Sequence, residues 1–312
     1  MDVTRDILMY STEMARKIGA RAVVVYADVF PSGHALDEFL ERAGDVPVVV
    51  VTRGESEPER RPDHVEVVRV PGIRLTRLGQ IKIAVLLGLS KGLFRQGDRL
   101  ICLTGIAGSG ALDTIVFMEV GEEFEMFAAS GAEEISVHVN PEVFERVLDI
   151  AVSLGYMGRE GKPVGTTFVI GDTENVLARS VQMVLNPFKG YPEEERNVLD
   201  PALEETVKEF AAIDGAFVIR GDGLIEAAGV YLKPEVSGEA LPRGLGTRHN
   251  SAAGITAVTR AVAITVSEST GTVTVFRDGK ILIEVERPRP IGEWGPKEER
   301  LFPGLRTGAR TD

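Results

Sequence analysis

The chain of 312 residues has one cysteine, Cys102, so no intrachain disulfide can form, and this usage agrees with a reducing, cytoplasmic setting. Long hydrophobic runs are missing. Stretches such as 46–51 and 83–89 fall far short of the ~18 residues a membrane span needs, so no membrane partner is expected. Residues 1–16 are charged and amphipathic rather than an apolar block, so a secretory leader is not expected either. Basic charge is in deficit: 35 Lys and Arg against 47 Asp and Glu give a net charge of −12, and no basic stripe interrupts it, which argues against a nucleic-acid partner. His34, His64 and His138 are scattered without metal-ligand spacing. The glycine-rich stretch Thr104-Gly105-Ile106-Ala107-Gly108-Ser109-Gly110 lacks the Gly-Lys-Ser/Thr ending of a P-loop, which excludes that motif and leaves a phosphate cradle or a structural loop. No internal repeat or low-complexity tract is present.

What is there is a soluble globular composition, 44% hydrophobic and 26% charged, in a length that favours two domains. The first third alternates helical and strand patterns. Val3, Ile7, Tyr10, Met14 and Ile18 fall on one helical face, and β-branched runs follow at 22–26, 46–51, 64–70, 100–104 and 114–120, with helices between them. This predicts an α/β fold whose N-terminal βαβ domain, residues 1–127, has a mostly parallel sheet. A second domain, residues 128–290, reads as α+β with a mixed central sheet flanked by helices. Its elements are a helix over 141–154, strands at 166–170, 216–220, 224–231, 261–266, 272–276 and 281–285, and a helix over 251–260. Asp200-Pro201 reads as a helix cap with proline at the first helical position, and Asp278-Gly279 as a hairpin turn. Residues 291–312 read as an irregular C-terminal tail, with Trp294 in it.

Three segments can carry chemistry. Asp214-Gly215-Ala216 lies where a helix hands over to a strand. It reads either as a plain turn or as a carboxylate that polarises a hydroxyl or holds a metal, beside a glycine that lets a flat base approach. Gly246-Thr247-Arg248-His249-Asn250 precedes a helical run. It reads either as a capped loop or as an anion site, since cations at a helix N-terminus oppose the macrodipole unless an anion sits there. Ser267-Glu268-Ser269-Thr270-Gly271 is either a turn or a source of a phosphate-binding hydroxyl and a hard-cation ligand, Glu268. Cys102, in an apolar strand, reads as a packing residue.

In this order and spacing the three segments, with Leu232 in Tyr231-Leu232-Lys233 and with 159–171 as an opening strand, resemble the diadenylate cyclase family, which makes cyclic di-AMP from ATP. The first domain, through Gly97-Asp98-Arg99 and the glycines that follow, resembles the C-terminal domain of pyruvate kinase, and the pairing is similar to the archaeal type of the cyclase. The resemblance implies a homo-oligomer whose catalytic domains meet face to face, each with one ATP. It implies Asp214, Arg248 and His249 as catalytic residues. It assigns substrate contacts to Gly215, Ala216, Leu232, Gly246, Thr247, Asn250 and Ser267, and Mn2+ or Mg2+ to Asp214 and Glu268. For the first domain it implies a regulatory or assembly role. Two positions depart from the family pattern: Asn250 stands where an arginine is usual, and Ile213 where a histidine often precedes Asp-Gly-Ala. Asn250 motivates the alternative reading, a catalytically weakened nucleotide-binding sensor using the same pocket.

Overall fold

The structure, a computed structural model, describes residues 3–30, 34–54, 58, 62–73, 75–121, 138–233 and 246–287. The expected boundaries at 127/128 and 290/291, and the tail with Trp294, lie outside the described residues.

The N-terminal half has the order α1 (Val3–Ile18), β1 (Ala22–Tyr26), α2 (His34–Ala43), β2 (Val48–Thr52), β3 (Val65–Arg69), α3 (Arg77–Ser90), β4 (Arg99–Gly105) and β5 (Leu112–Glu119). The strands form one sheet, ordered β3-β2-β1-β4-β5. All neighbours are parallel except the β4–β5 pair. Runs such as Val48–Val51 are buried on both faces, as expected of a parallel sheet covered by helices.

The apolar face of α1 expected from periodicity is inward only in part: Ile7 and Ile18 pack against the core, whereas its middle does not. Tyr10 and Met14 are 56% and 42% exposed, and the helix buries Thr4, Leu8, Ser11, Thr12 and Ala15 instead. The hydroxyls make this possible: Ser11 Oγ donates to Leu8 O at 2.8 Å and Thr12 Oγ1 to Met9 O at 2.9 Å, so neither enters the interface unpaired. Thr4 Oγ1 also accepts from the Leu112 amide at 3.1 Å, tying α1 to β5.

The glycine-rich stretch after β4 is a structural loop. The amides of Gly108 and Gly110 donate to Asp28 O (2.7 Å) and Val29 O (2.9 Å), so these donors are spent on the chain itself. Cys102 is buried in β4, as its surroundings in the sequence suggest.

The second half runs α4 (Pro141–Met157), β6 (Thr166–Ile170), α5 (Thr173–Ala178), β7 (Ser180–Gln182), α6 (Glu204–Phe210), β8 (Ala216–Ile219), β9 (Ile225–Leu232), α7 (Thr247–Val258), β10 (Val262–Val266), β11 (Val273–Arg277) and β12 (Lys280–Val285). Its sheet is ordered β12-β11-β10-β6-β8-β9-β7 and is mixed, with β6 and β8 the parallel pair. Alternate residues of the central strands feed two layers. Phe168, Ile170, Phe217 and Ile219 join the cluster containing α4, while Val169, Ala216 and Val218 join the cluster containing α7.

The local signals behave as their chemistry requires. Asn140 Oδ1 caps α4 by accepting from Glu142 N at 2.9 Å, with Pro141 following. Asp200 Oδ1 accepts from Ala202 N at 2.9 Å, but Pro201–Leu203 is a 3-10 turn and the α-helix starts at Glu204. Asp278 and Gly279 adopt φ of 51° and 77°, both left-handed, as a two-residue hairpin turn demands.

The two sheets share one buried cluster. Between them, Lys82 Nζ donates to Glu284 O at 3.1 Å and Lys91 Nζ lies 2.7 Å from a Glu145 carboxylate oxygen. Among the described residues no helix is long and apolar enough to cross a membrane.

Candidate functional site

Strand register brings the three chemical segments together. In the parallel pair Thr167 faces Ala216, so Gly165-Thr166 lies beside Asp214-Gly215. In the antiparallel pair Val266 faces Thr166, so Ser267 lies beside Gly165. One edge of the sheet therefore collects the starts of β6 and β8 and the end of β10. The N-terminus of α7 closes over it.

Arg248 is the centre of this edge. Its Nη2 donates to Asp214 Oδ1 at 3.1 Å and its Nη1 to Glu268 Oε2 at 3.3 Å. Two carboxylates from segments 54 residues apart thus meet on one guanidinium. Its Nε is buried and lacks a hydrogen-bond partner. Gly165 makes room for the group: a Cβ there would stand 2.7 Å from Arg248 Nη1 and 2.8 Å from Glu268 Cβ. The sequence reading did not single out Gly165 as a site residue. Its signals are its place in the 159–171 stretch that carries the resemblance and its position just before a fully buried strand.

Helix α7 begins at Thr247, four residues ahead of the expected start, with Gly246 as its N-cap. Glycine offers no capping side chain, so the first-turn N–H groups of α7 receive none from that position. Consecutive helical residues point about 100° apart, and the earlier start separates Arg248 from His249. Arg248 faces the two carboxylates. His249 turns inward and is 8% exposed, with Nε2 3.4 Å from Thr274 Oγ1 and its ring edge-on to Phe276 at 5.9 Å. Burial pushes the His249 pKa below its usual value, and the nearby Glu284 charge opposes this in part. Thr247 and Asn250 are exposed, as is Gly246.

Gly215 has φ of +113°, and a Cβ on it would lie 2.7 Å from Gly229 C and 2.8 Å from Val230 N. Its glycine identity is required by the approach of β9, where the sequence suggested the approach of a base. Its amide lies 3.0 Å from Asp214 Oδ1. Ala216 and Leu232 are 2% and 3% exposed and belong to the α7-side cluster, so they form the floor of the edge. Ser267 opens a turn closed by Gly271 N donating to Ser267 O at 2.8 Å, and its hydroxyl lies 3.3 Å from that of Ser269. Ile213 is 38% exposed beside Asp214.

Asp214 and Glu268 are the acidic pair able to share a cation here, and among the described residues no group of three or more His, Cys, Asp or Glu side chains forms a metal cluster. Two exposed carboxylates suit a hard divalent ion that keeps several waters and takes further oxygens from phosphates.

Residues 153–281 match the family model described as DisA bacterial checkpoint controller nucleotide-binding, and residues 4–127 match one described as probable sensor domain DacZ_P. A diadenylate cyclase from Methanocaldococcus jannaschii is 30% identical over 304 residues, covering 91% of this chain and 97% of that protein. One from Haloferax volcanii is 34% identical over 261 residues, covering 82% and 90%. A crystal structure of DacA from Staphylococcus aureus, a double mutant, is 24% identical, with a TM-score of 0.31 over 45% of this chain and 84% of that one.

Proposed function

The chain belongs to the diadenylate cyclase family, and from that premise we propose that it joins two ATP molecules into cyclic di-AMP, releasing two pyrophosphates. It is a nucleotidyltransferase. The 3′-oxygen of one ATP attacks the α-phosphorus of the other, forming one P–O bond as the bond to pyrophosphate breaks. The reciprocal attack closes the ring. Two chains face each other, each presenting one nucleotide.

The observation that carries this reading is the Arg248 bridge between Asp214 and Glu268 at the N-terminus of α7. Asp214 accepts a hydrogen bond from the attacking hydroxyl and takes its proton. Arg248, Thr247, Ser267 and the first-turn amides that follow Gly246 hold the phosphates, and Asn250 adds a neutral donor where the family usually has a cation. Gly215, Ala216 and Leu232 support the base and ribose. His249 acts as a positioning residue that fixes α7 on β11. Asp214 and Glu268 would hold Mn2+ or Mg2+, which when bound neutralises charge developing on the phosphate oxygens. The remaining work of the chain is positioning and electrostatic stabilisation, as phosphoryl-type transfers require.

The test is incubation of the full chain with ATP and Mn2+, followed by chromatography. Cyclic di-AMP and pyrophosphate are expected. Bound nucleotide without product would replace this reading with a sensor. The face-to-face arrangement predicts that activity per chain falls on dilution into monomer, and constant activity would remove it.

A further inference from the structure

An apolar patch lies open at one edge of the N-terminal half. β5 is the last strand of its sheet, and among the described residues β4 is its one strand neighbour. Ile115 and Phe117, on one face of β5, are 42% and 44% exposed. Tyr10 and Met14 of α1 are exposed as well, although periodicity marks them as core.

These four residues share one side of the sheet. Gln80 of α3 bonds Thr104, which pairs with Thr114, so α3 lies over the face of Thr114, Val116 and Met118. The connections β1-α2-β2 and β3-α3-β4 cross the sheet in opposite directions, so right-handed crossovers set α2 and α3 on opposite faces. α1 packs against both α2 and β5, and so lies on the face of Ile115 and Phe117. Its Arg5 and Arg16 reach Glu38 and Ala43 O of α2 at 3.9 and 2.8 Å. Tyr10 and Met14 point about 120–180° round the helix from these arginines, on the flank above the β5 edge. The bond from Leu112 N to Thr4 Oγ1 sets the level of α1 along β5. Counted from it, Tyr10 and Ile115 are both about 9–10 Å along, and Met14 and Phe117 about 15–17 Å. The patch is therefore continuous.

It is also self-complementary. A two-fold axis through Val116, with β5 antiparallel to β5 of a second copy, sets Ile115 opposite Phe117 and Phe117 opposite Ile115. The same register sets Asp113 opposite Glu119. Centring on Ile115 would instead oppose Asp113 to Phe117, and centring on Phe117 would oppose Ile115 to Glu119. Each acid is already matched within its own chain. Arg77 Nε donates to Asp113 Oδ1 at 2.7 Å, and Arg99 Nε to Glu119 Oε2 at 3.2 Å. Each end of the paired strands would thus hold two carboxylates and two guanidiniums, in a chain whose net charge of −12 otherwise drives copies apart. Edge strands that avoid pairing use lysine or proline, and β5 has neither.

We propose that two copies of this chain join through their N-terminal halves, β5 pairing with β5 about Val116 and the two α1 helices meeting through Tyr10 and Met14. The exposed middle of α1 is then the part of its apolar face that the second copy covers. This contact is separate from the face-to-face contact of the catalytic edge and does not rest on the cyclase reading.

Sedimentation equilibrium of the full chain tests the contact, with Phe117→Lys and Tyr10→Lys as perturbations from the strand and from the helix. Both side chains are exposed, so each variant should melt like wild type. Self-association at least tenfold weaker than wild type is expected in each. A monomeric wild type, or variants that associate like wild type, overturns the interface. Oxidative cross-linking tests the register. Val116→Cys should form a disulfide-linked dimer, because the axis sets the two copies of this position directly opposite each other, at about 4.5–5.5 Å between Cα atoms. Thr114→Cys should not, because its two copies lie about 13 Å apart along the strands. The native Cys102 is buried. No linkage at 116, or equal linkage at 114, overturns the pairing. A chain that assembles in this way and forms no cyclic di-AMP from ATP keeps the interface and loses the cyclase reading.

Discussion

Gly165→Ala is the sharpest perturbation of the catalytic edge, because it adds one methyl group and removes no charge. That methyl would stand 2.7 Å from Arg248 Nη1 and 2.8 Å from Glu268 Cβ. The guanidinium can swing away at small cost. The Cβ of Glu268 is fixed to the backbone, so the turn after β10 must shift as well. The effect on stability should be modest. The ion pairs of Arg248 join side chains that are 32%, 73% and 62% exposed, and exposed pairs contribute on the order of 0.2–1 kcal/mol each. Overpacking strain adds about 1–3 kcal/mol. The effect on turnover should be larger. Displacing one preorganised donor from developing phosphate charge costs about 2.7–4 kcal/mol, or roughly 100- to 1,000-fold in kcat. The assay is cyclic di-AMP formation from ATP with Mn2+, beside a thermal melt of the same preparation. A melting temperature within several degrees of wild type, with turnover down about 100-fold, is expected. A variant that melts like wild type and turns over like wild type would refute the placement of Arg248 and Glu268 in the chemistry.

Asp214→Asn should abolish turnover while ATP still binds by calorimetry, and unchanged turnover would take Asp214 out of the mechanism. In the N-terminal half, Asp28 is 3% exposed and accepts from Thr52 Oγ1 at 2.8 Å, Arg53 N at 2.8 Å and Arg53 Nε at 3.1 Å. Asp28→Ala removes the buried carboxylate that accepts these three bonds and should destabilise the fold by about 3–5 kcal/mol in urea titration, whereas a loss below 1 kcal/mol would mean that the network is not structural. His249→Gln tests the inward histidine through pH. The folded pKa of His249 is depressed below 6.5 by burial, so the unfolded chain takes up the proton first as pH falls. The stability gained by keeping this ring neutral is complete above 6.5 and is lost as pH falls through the folded pKa. The stability gap between wild type and His249→Gln should therefore narrow from pH 7.5 to pH 5.5, and a gap independent of pH would contradict a buried neutral ring.

Much of the fold could be read from residues because the determining chemistry is local. Valine runs buried on both faces give the parallel strands, and Asp278-Gly279 gives a hairpin because both positions need left-handed backbone. The face of α1 could not be read in this way. Periodicity weighs Tyr10 and Met14 above Ser11 and Thr12, whereas the helix places its small hydroxyl residues inward, where they bond within their own turn. Gly165 was equally hidden, since its importance comes from Arg248 and Glu268, distant in sequence and brought near only by the register of β6 with β10.

The motif at 246–250 shows where sequence reading of a site loses its grip. Read as a loop, Thr247, Arg248 and His249 form a row of donors aimed at one anion. Once α7 starts at Thr247, His249 leaves that row, since it points about 100° round the helix from Arg248 and is 8% exposed. Arg248 then reaches the carboxylates just before β8 and just after β10, and His249 packs against β11. Two neighbouring residues therefore have different surroundings: Arg248 lies between two carboxylates at the edge, and His249 lies buried against Thr274 and Phe276, where the proposed function makes it a positioning residue. On this argument a substitution at His249 that keeps its volume should alter kcat through the placement of Arg248 while leaving the charge of the site intact. His249→Gln, which can still bond Thr274, should retain more turnover than His249→Ala, which leaves a void against Phe276. Equal losses in the two variants, at equal melting temperature, would mean that the imidazole itself acts on the phosphates.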